Sequence, residues 1–287
     1  MDVASVTALV VQPEAAKLAA VPGGPLLSSA AGEQLREIQI LDDHNQRRAI
    51  RIPVERPLKL LVDGAEMVTL MTLGASPEWL VAGFLRNQRL IADVIELQSI
   101  LVDWGSGTAV VRTHSGVADS AAPQPRGTGC GLGSGFGDLM SGSAGVALSS
   151  PTRISRTTLL SILETMRHYD AIHRAAGSVH SCALFHDGAL WVAIEDVSRH
   201  NGVDTITGWM ALHAVDGTDK ILFTTGRLTG EMVMKAAHSQ IAIMVSRNGV
   251  TAMGCDLAAR FGMTLFGRAA NRRYTCYTGF DRFDAGS

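Results

Sequence analysis

Cysteine is scarce in this chain: Cys130, Cys182, Cys255 and Cys276 are the four present among 287 residues. No two stand at Cys-x-x-Cys spacing, so the usual structural zinc sets and a disulfide framework are both excluded. A reducing cytoplasm is the compartment such usage fits. Surplus charge of either sign is also missing, with 25 Lys and Arg against 27 Asp and Glu, so no nucleic-acid coat is expected. No run approaches the roughly 18 apolar residues of a membrane helix, and no basic segment precedes an apolar one near Met1 as a signal peptide requires. Absent too are the Gly-x-x-x-x-Gly-Lys-Ser/Thr phosphate loop, a complete dinucleotide fingerprint, the zinc-deaminase signature and the Gly-x-Ser-x-Gly elbow.

Glycine, by contrast, is concentrated. It takes every second place from Gly127 to Gly137, with Cys130 near the middle. Glycine costs the most backbone entropy to order, so neither helix nor strand is expected there. Two readings stay open: a mobile arm carrying one thiol between two partners, or a linker with an incidental cysteine.

Taken in order, residues 1–34 are expected to be a disordered lead-in broken by Pro22-Gly23-Gly24-Pro25. Residues 35–125 read as a strand-rich N-terminal part. Leu58–Val62 and Glu66–Thr72 flank Asp63-Gly64, a two-residue hairpin signal. Ser76-Pro77-Glu78 then reads as an N-cap, a first-turn proline and a first-turn acid. Ser99–Asp103 and Thr108–Thr113 form another strand pair. Residues 126–150 are the Gly-rich loop and linker, and 151–280 an α/β domain. It opens with an amphipathic helix from about Arg156 to His173, followed by a hairpin across Asp187-Gly188 and a polar run into a helix through Trp209. From Lys220 the runs Ile221–Thr224, Ile241–Val245 and Thr264–Phe266 suit buried parallel strands, with helices over Glu231–Ser239 and Thr251–Phe261 between them.

Ligands bind outside the carboxyl ends of parallel strands. Here each strand is followed by a small residue and an arginine: Thr225-Gly226-Arg227, Ser246-Arg247 and Gly267-Arg268, with Arg272 and Arg273 just beyond. Arginine forks match phosphate oxygens, and the helix starting near Gly230 adds free N–H groups. The pattern points to a phosphorylated ligand; the alternative is arginines at unrelated loop ends. Glu231 and Lys235, four apart, read as a solvated surface pair. Arg199-His200-Asn201 is either functional or a helix cap. Met232, Met234 and Met244 read as core filler.

Several segments in one order resemble the formate dehydrogenase accessory sulfurtransferases, the FdhD family. They are Leu61-Val62-Asp63-Gly64, Ala82-Gly83-Phe84-Leu85, Gly129-Cys130-Gly131, Glu195-Asp196-Val197-Ser198-Arg199-His200-Asn201 with Asp204, Thr225-Gly226-Arg227, Glu231-Met232-Val233, Lys235-Ala236-Ala237, Val245-Ser246 and Tyr277-Thr278-Gly279. The resemblance spans about Leu35 to Gly279. It implies a cytidine-deaminase-like layered α/β fold without the zinc site, and a homodimer. It implies a sulfurtransferase that takes sulfur from a cysteine desulfurase as a persulfide on Cys130. The sulfur would pass to bis(molybdopterin guanine dinucleotide), bound as client, for the formate dehydrogenase catalytic subunit. Guanine nucleotide would be a mimic of that client. Cofactor contacts would fall on Arg268, Ala269, Ala270, Asn271, Arg272 and Arg273, joined by Thr225, Gly226, Arg227, Ser246, Arg247, Arg199, His200 and Asn201; no metal site is implied. Two departures stand out. Gly133 occupies the place of the family's second arm cysteine, and Ala269-Ala270-Asn271 replaces a Gly/Pro-rich turn. The first of these keeps a second function open, a cofactor-binding chaperone without sulfur transfer, and a nucleotide-binding regulator is a third.

Overall fold

The computed structural model describes residues 8–116, 126–127, 148, 150–169 and 171–286. The lead-in expected to be disordered carries structure from residue 8 onward. β1 (Leu9–Val11) and a short helix α1 (Pro13–Ala16) are followed by β2 (Leu26–Leu27). β1 pairs with Ile194, Ala193 and Val192 of a strand far along the chain, and Ala8 and Ala15 are buried. Apolar residues here found a distant partner that no local pattern announces.

β3 (Leu35–Leu41) and β4 (Arg47–Pro53) make a separate antiparallel ribbon. β5 (Arg56–Val62) and β6 (Ala65–Thr72) turn at Asp63-Gly64, where both residues take positive φ (50° and 91°), as the two-residue hairpin requires. Helix α2 (Pro77–Asn87) follows. Ser76 occupies its N-cap without a side-chain capping bond. Glu78 is turned inward, accepting from Ser28 Oγ at 2.5 Å and the Ala30 N–H at 2.6 Å, so it anchors residues 28–30 rather than only facing the helix dipole. β7 (Leu97–Asp103), β8 (Thr108–Thr113) and the short β9 (Arg126–Gly127) complete a six-stranded sheet in the order β2-β7-β8-β5-β6-β9. β9 corrects one expectation: the glycine arm begins in a strand, paired in parallel with Val68 and Thr69.

The second half opens with β10 (Ile154–Ser155) and α3 (Arg156–Tyr169). The expected single helix is in two pieces, since α4 (Ala171–Ala176) is separate and stops at Gly177 in the left-handed region (φ 65°). β11 (His180–His186), β12 (Ala189–Asp196), α5 (Arg199–Leu212), β13 (Lys220–Thr224), α6 (Gly230–His238), β14 (Ile243–Ser246), α7 (Ala252–Phe261), β15 (Thr264–Ala270), β16 (Arg273–Thr278) and β17 (Phe283–Asp284) follow. A seven-stranded sheet runs β1-β12-β11-β13-β14-β15-β16, parallel only across β13-β14-β15. The β-α-β-α-β reading holds, and Thr251 and Gly262 cap α7 as its ends require.

α2 and α5 join the halves. A Cβ on Gly83 would lie 1.8 Å from the Asp204 carbonyl oxygen, and one on Gly208 would lie 1.9 Å from that of Trp79. Only glycine permits this approach, so the two helices touch backbone to backbone. Trp79 packs against both cores and meets Trp209 with ring centroids 6.4 Å apart.

Candidate functional site

The register pairs Phe223 with Val245 and Val245 with Phe266, so Thr225, Arg247 and Arg268 follow at one level of the sheet. Backbone bonds stitch their turns together. The Arg247 N–H donates to Thr224 O at 3.2 Å and the Arg268 N–H to Asn248 O at 2.8 Å, while Ser246 Oγ donates to Gly226 O at 2.6 Å. The third strand departs from expectation: β15 continues through Ala270, so Gly267-Arg268 lies within it, at an irregularity where Arg268 has φ 50°.

β15 and β16 then turn at Asn271-Arg272, with Ala270 opposite Arg273. Both turn residues have positive φ, 49° and 65°, the type I′ requirement. Asn271 tolerates this, and Arg272 holds it at a cost of about 1 kcal/mol or more. The turn displays Arg272 and Arg273, and with Arg156, Arg268, Tyr274 and Thr275 they line an open cleft of about 610 Å³. Four arginines therefore line one cleft, a local excess of positive charge of the kind that attracts anions. A smaller groove of about 250 Å³ adjoins it, lined by Leu160, Leu163, Glu164, Arg167, Asn271 and Arg272. Glu164 is held below the usual carboxylate range, first by its hydrogen bond from Arg167.

A second group of candidates surrounds the start of α5. Ser198 is the N-cap, its hydroxyl accepting from the His200 N–H at 3.3 Å, so capping falls to serine and not to His200. Arg199 lies against Gly226, where a Cβ would fall 2.7 Å from its Cβ and Cδ. Its Nε is buried and lacks a hydrogen-bond partner among the described residues. His180 Nδ1 is 3.4 Å from Thr225 Oγ1. Burial lowers the His180 pKa, helped by Arg199, His173 and Arg227. The His200 ring faces α6, with Nε2 3.3 Å from Glu231 Oε2. Burial drops His200 to about 4 even though Glu231 opposes the shift.

Behind His200 runs a chain of charges. Lys235 Nζ is 3.4 Å from Glu231 Oε1 and 2.8 Å from Asp204 Oδ2, and Asn87 Nδ2 donates to Asp204 Oδ1 at 2.7 Å. Lys235 is 1% exposed, which overturns the solvated-pair expectation for Glu231 and Lys235. Burial works against the Lys235 charge, yet the two carboxylates raise its pKa and keep it ionised. The pair is therefore a buried link between α6, α5 and α2.

The structure thus brings Arg268, Arg272 and Arg273 together in one cleft and gathers Arg199, His200, Thr225, Gly226 and Arg227 in another cluster. Others lie elsewhere. Asn201 is buried, both its N–H groups taken up by Met71 O (2.7 Å) and Asp196 Oδ1 (2.9 Å), which makes it a tie to β6. Ser246 and Ala269 are buried; Asn271 is exposed and Ala270 half-exposed at the turn. The Arg247 guanidinium sits 5.7 Å from the Phe223 ring centroid. Sequence reading did not select Arg156, His180 or the Asp204–Lys235 link. Arg156 had one signal, a cation at a helix start where the dipole disfavours it.

Cys130 falls outside the described residues. Of the other thiols, Cys182 is fully buried and pushed up to about 12 by that burial, so it is not a nucleophile. Burial also raises Cys276. Among the described residues, no three His, Cys, Asp or Glu are gathered to hold a metal, and no helix is long and apolar enough to cross a membrane.

The model of the FdhD/NarQ family matches residues 53–284, most of the chain. The chain belongs to that family. Named relatives include the sulfur carrier protein FdhD of Bacillus pumilus, 29% identical over 231 residues, 79% of this chain and 88% of the relative. That of Bacillus subtilis is 27% identical over 231 residues, with the same coverage of 79% and 88%. A Desulfotalea psychrophila crystal structure, provisionally called a formate dehydrogenase accessory protein, superposes with a TM-score of 0.70 at 25% identity, covering 87% of this chain and 98% of that one. Family membership agrees with the resemblance read from the short motifs, and the mixed α/β architecture agrees with the expected fold class.

Proposed function

We propose that this chain is a sulfur carrier in molybdenum cofactor maturation. Cys130 receives sulfur from a cysteine desulfurase as a persulfide and passes it to bis(molybdopterin guanine dinucleotide) destined for the formate dehydrogenase catalytic subunit. The reading places this exchange in the cytoplasm and in a homodimer. The observation that carries it is the four-arginine cleft, whose charge and size suit a pyrophosphate-bearing ligand, in a chain whose relatives are named sulfur carriers. The adjoining groove adds Glu164 and Asn271, acceptors of the type that the guanine edge requires, over an apolar floor of Leu160 and Leu163. β9 supports the assignment of Cys130. It runs parallel to β6, whose far end reaches Asp196 and Asn201 beside Arg199 and His200.

The experiment is to supply desulfurase and cysteine and weigh the intact protein. Wild type should gain a sulfur atom and Cys130→Ala should not; equal gain by the variant would remove the catalytic assignment. Gly133 in the second cysteine's place favours one other reading, a chaperone that binds the cofactor without moving sulfur. It requires Cys130→Ala to mature formate dehydrogenase normally.

A further inference from the structure

On α3, Arg156, Leu160, Leu163, Glu164 and Arg167 recur at helical spacing and so form one stripe along the helix. The stripe borders both cavities. Arg156 lines the cleft of about 610 Å³, and the other four line the groove of about 250 Å³. Facing them is the β15–β16 hairpin, whose Arg272 lines both. Cleft and groove are therefore the two ends of one trough between α3 and the hairpin. At about 1.5 Å per residue, Arg156 and Leu163 stand roughly 10 Å apart along the helix axis, a span comparable with that from a purine base to the second phosphate of an extended nucleotide.

The two ends differ in chemistry. The groove has an apolar floor in Leu160 and Leu163 and one acid, Glu164. Its carboxylate accepts from Arg167 at 2.7 Å, a bond that holds it below the usual carboxylate range and keeps it charged. A carboxylate in that position repels phosphate and accepts N–H donors. The cleft has no acid among the described residues that line it, where Arg156, Arg268, Arg272 and Arg273 stand with Tyr274 and Thr275. Arg156 is the least expected of the four. It is exposed in the first turn of α3, where the positive end of the helix dipole disfavours a cation. The helix gains nothing from it there, but an anion in the cleft would be attracted by the guanidinium and the helix end alike.

We propose that the trough holds a nucleoside diphosphate lengthwise, with its base against Leu160, Leu163 and Glu164 and its distal phosphate at Arg156. Arg156 is then the specificity-determining residue that distinguishes a diphosphate from a monophosphate. This rests on the reading of the cleft as the cofactor site and adds its direction: the first phosphate meets Arg272, which both cavities share, and the second meets Arg156.

The test is calorimetric titration with GDP, GMP and inorganic pyrophosphate at one fixed salt concentration. Wild type should bind GDP more tightly than GMP. Arg156→Ala should weaken GDP and pyrophosphate about 10-fold, the loss of one charge-assisted contact, and leave GMP within about 2-fold. Arg156→Lys should recover part of the loss, since it keeps the charge without the fork. Glu164→Gln should give the opposite pattern, weakening GDP and GMP about equally without weakening pyrophosphate. Both side chains are exposed, so the variants should melt at the wild-type temperature. Equal losses of GDP and GMP in Arg156→Ala, no loss of GDP there, or a wild type that binds GMP as tightly as GDP would each overturn the proposal. Failure of the sulfur-carrier reading looks different: Cys130→Ala would gain sulfur as fast as wild type while the nucleotide pattern stood.

Discussion

Asp204→Asn is the sharpest test of the buried charge chain. At 2.8 Å and an effective dielectric of ~20, the Asp204–Lys235 attraction is about 6 kcal/mol. The substitution removes it while leaving Lys235, 1% exposed, with Glu231 at 3.4 Å as its remaining counter-ion. Losing one partner of a buried pair costs about 3–5 kcal/mol, because the other charge stays out of water. Glu231 places this case near the lower end. For a chain of this size that is a fall in Tm of roughly 6–12 °C. Urea unfolding at pH 7 gives the free energy directly. Lys235→Met alone should cost a similar amount by stranding Asp204, which burial already pushes toward protonation. The double variant Asp204→Asn/Lys235→Met should recover at least about 2 kcal/mol of the summed loss, as coupled neighbours do. A loss below about 1 kcal/mol for Asp204→Asn, or additive single effects, would falsify the account of a buried, ionised link.

Gly83→Ala should destabilise by more than about 3 kcal/mol, because its methyl would meet the Asp204 carbonyl oxygen at 1.8 Å and overpacking against backbone cannot relax; unfolding curves or loss of soluble protein report it. Arg272→Ala and Arg273→Ala should each weaken GDP binding about 10-fold, the value of one charge-assisted contact, with calorimetry showing weaker affinity as salt rises. Asp196 has its pKa raised to about 6 by burial, the donors from Thr72, Ser198, Asn201 and Leu73 opposing it. A carboxyl raised from 3.8 to about 6 on folding stabilises below its unfolded pKa, and that contribution is lost as pH rises through about 6. His238, lowered to about 4 by burial with Arg89 and Arg86 adding to it, favours the fold above pH 6.5 and loses that contribution as pH falls toward 4. Between pH 4 and 6 the two oppose each other, so His238→Gln should make stability fall more steeply with rising pH, read from Tm across that range; an unchanged slope would count against it.

What could be read from residues alone follows the range of the interactions. The β13-α6-β14-α7-β15 series was legible because short apolar runs, a capping threonine and a C-terminal glycine act within a few residues. Asp63-Gly64 and Asp187-Gly188 were legible for the same reason. β1 was not, since three half-buried residues have no local signature and their partners lie some 180 positions on. The Asn271-Arg272 turn was hidden because glycine, the usual mark of positive φ, is missing from both places.

The charge pair shows the limit most clearly. Glu231 and Lys235 are four residues apart on a helix, and on that spacing a solvated pair is the ordinary outcome. What changes the outcome is Asp204, 31 positions away, on a helix brought close only because Gly83 and Gly208 let α2 and α5 touch. Asp204 lies one turn from His200 on α5, and Lys235 joins it to Glu231, whose carboxylate faces the His200 ring at 3.3 Å. The glycines that allow the halves to dock and the acid that holds Lys235 therefore belong to one construction. Loosening the docking at Gly83 should weaken the Asp204–Lys235 bond as well as lower stability. A double-mutant cycle of Asp204→Asn and Lys235→Met in a Gly83→Ala background should then show less coupling than in wild type, and full wild-type coupling there would count against a shared construction.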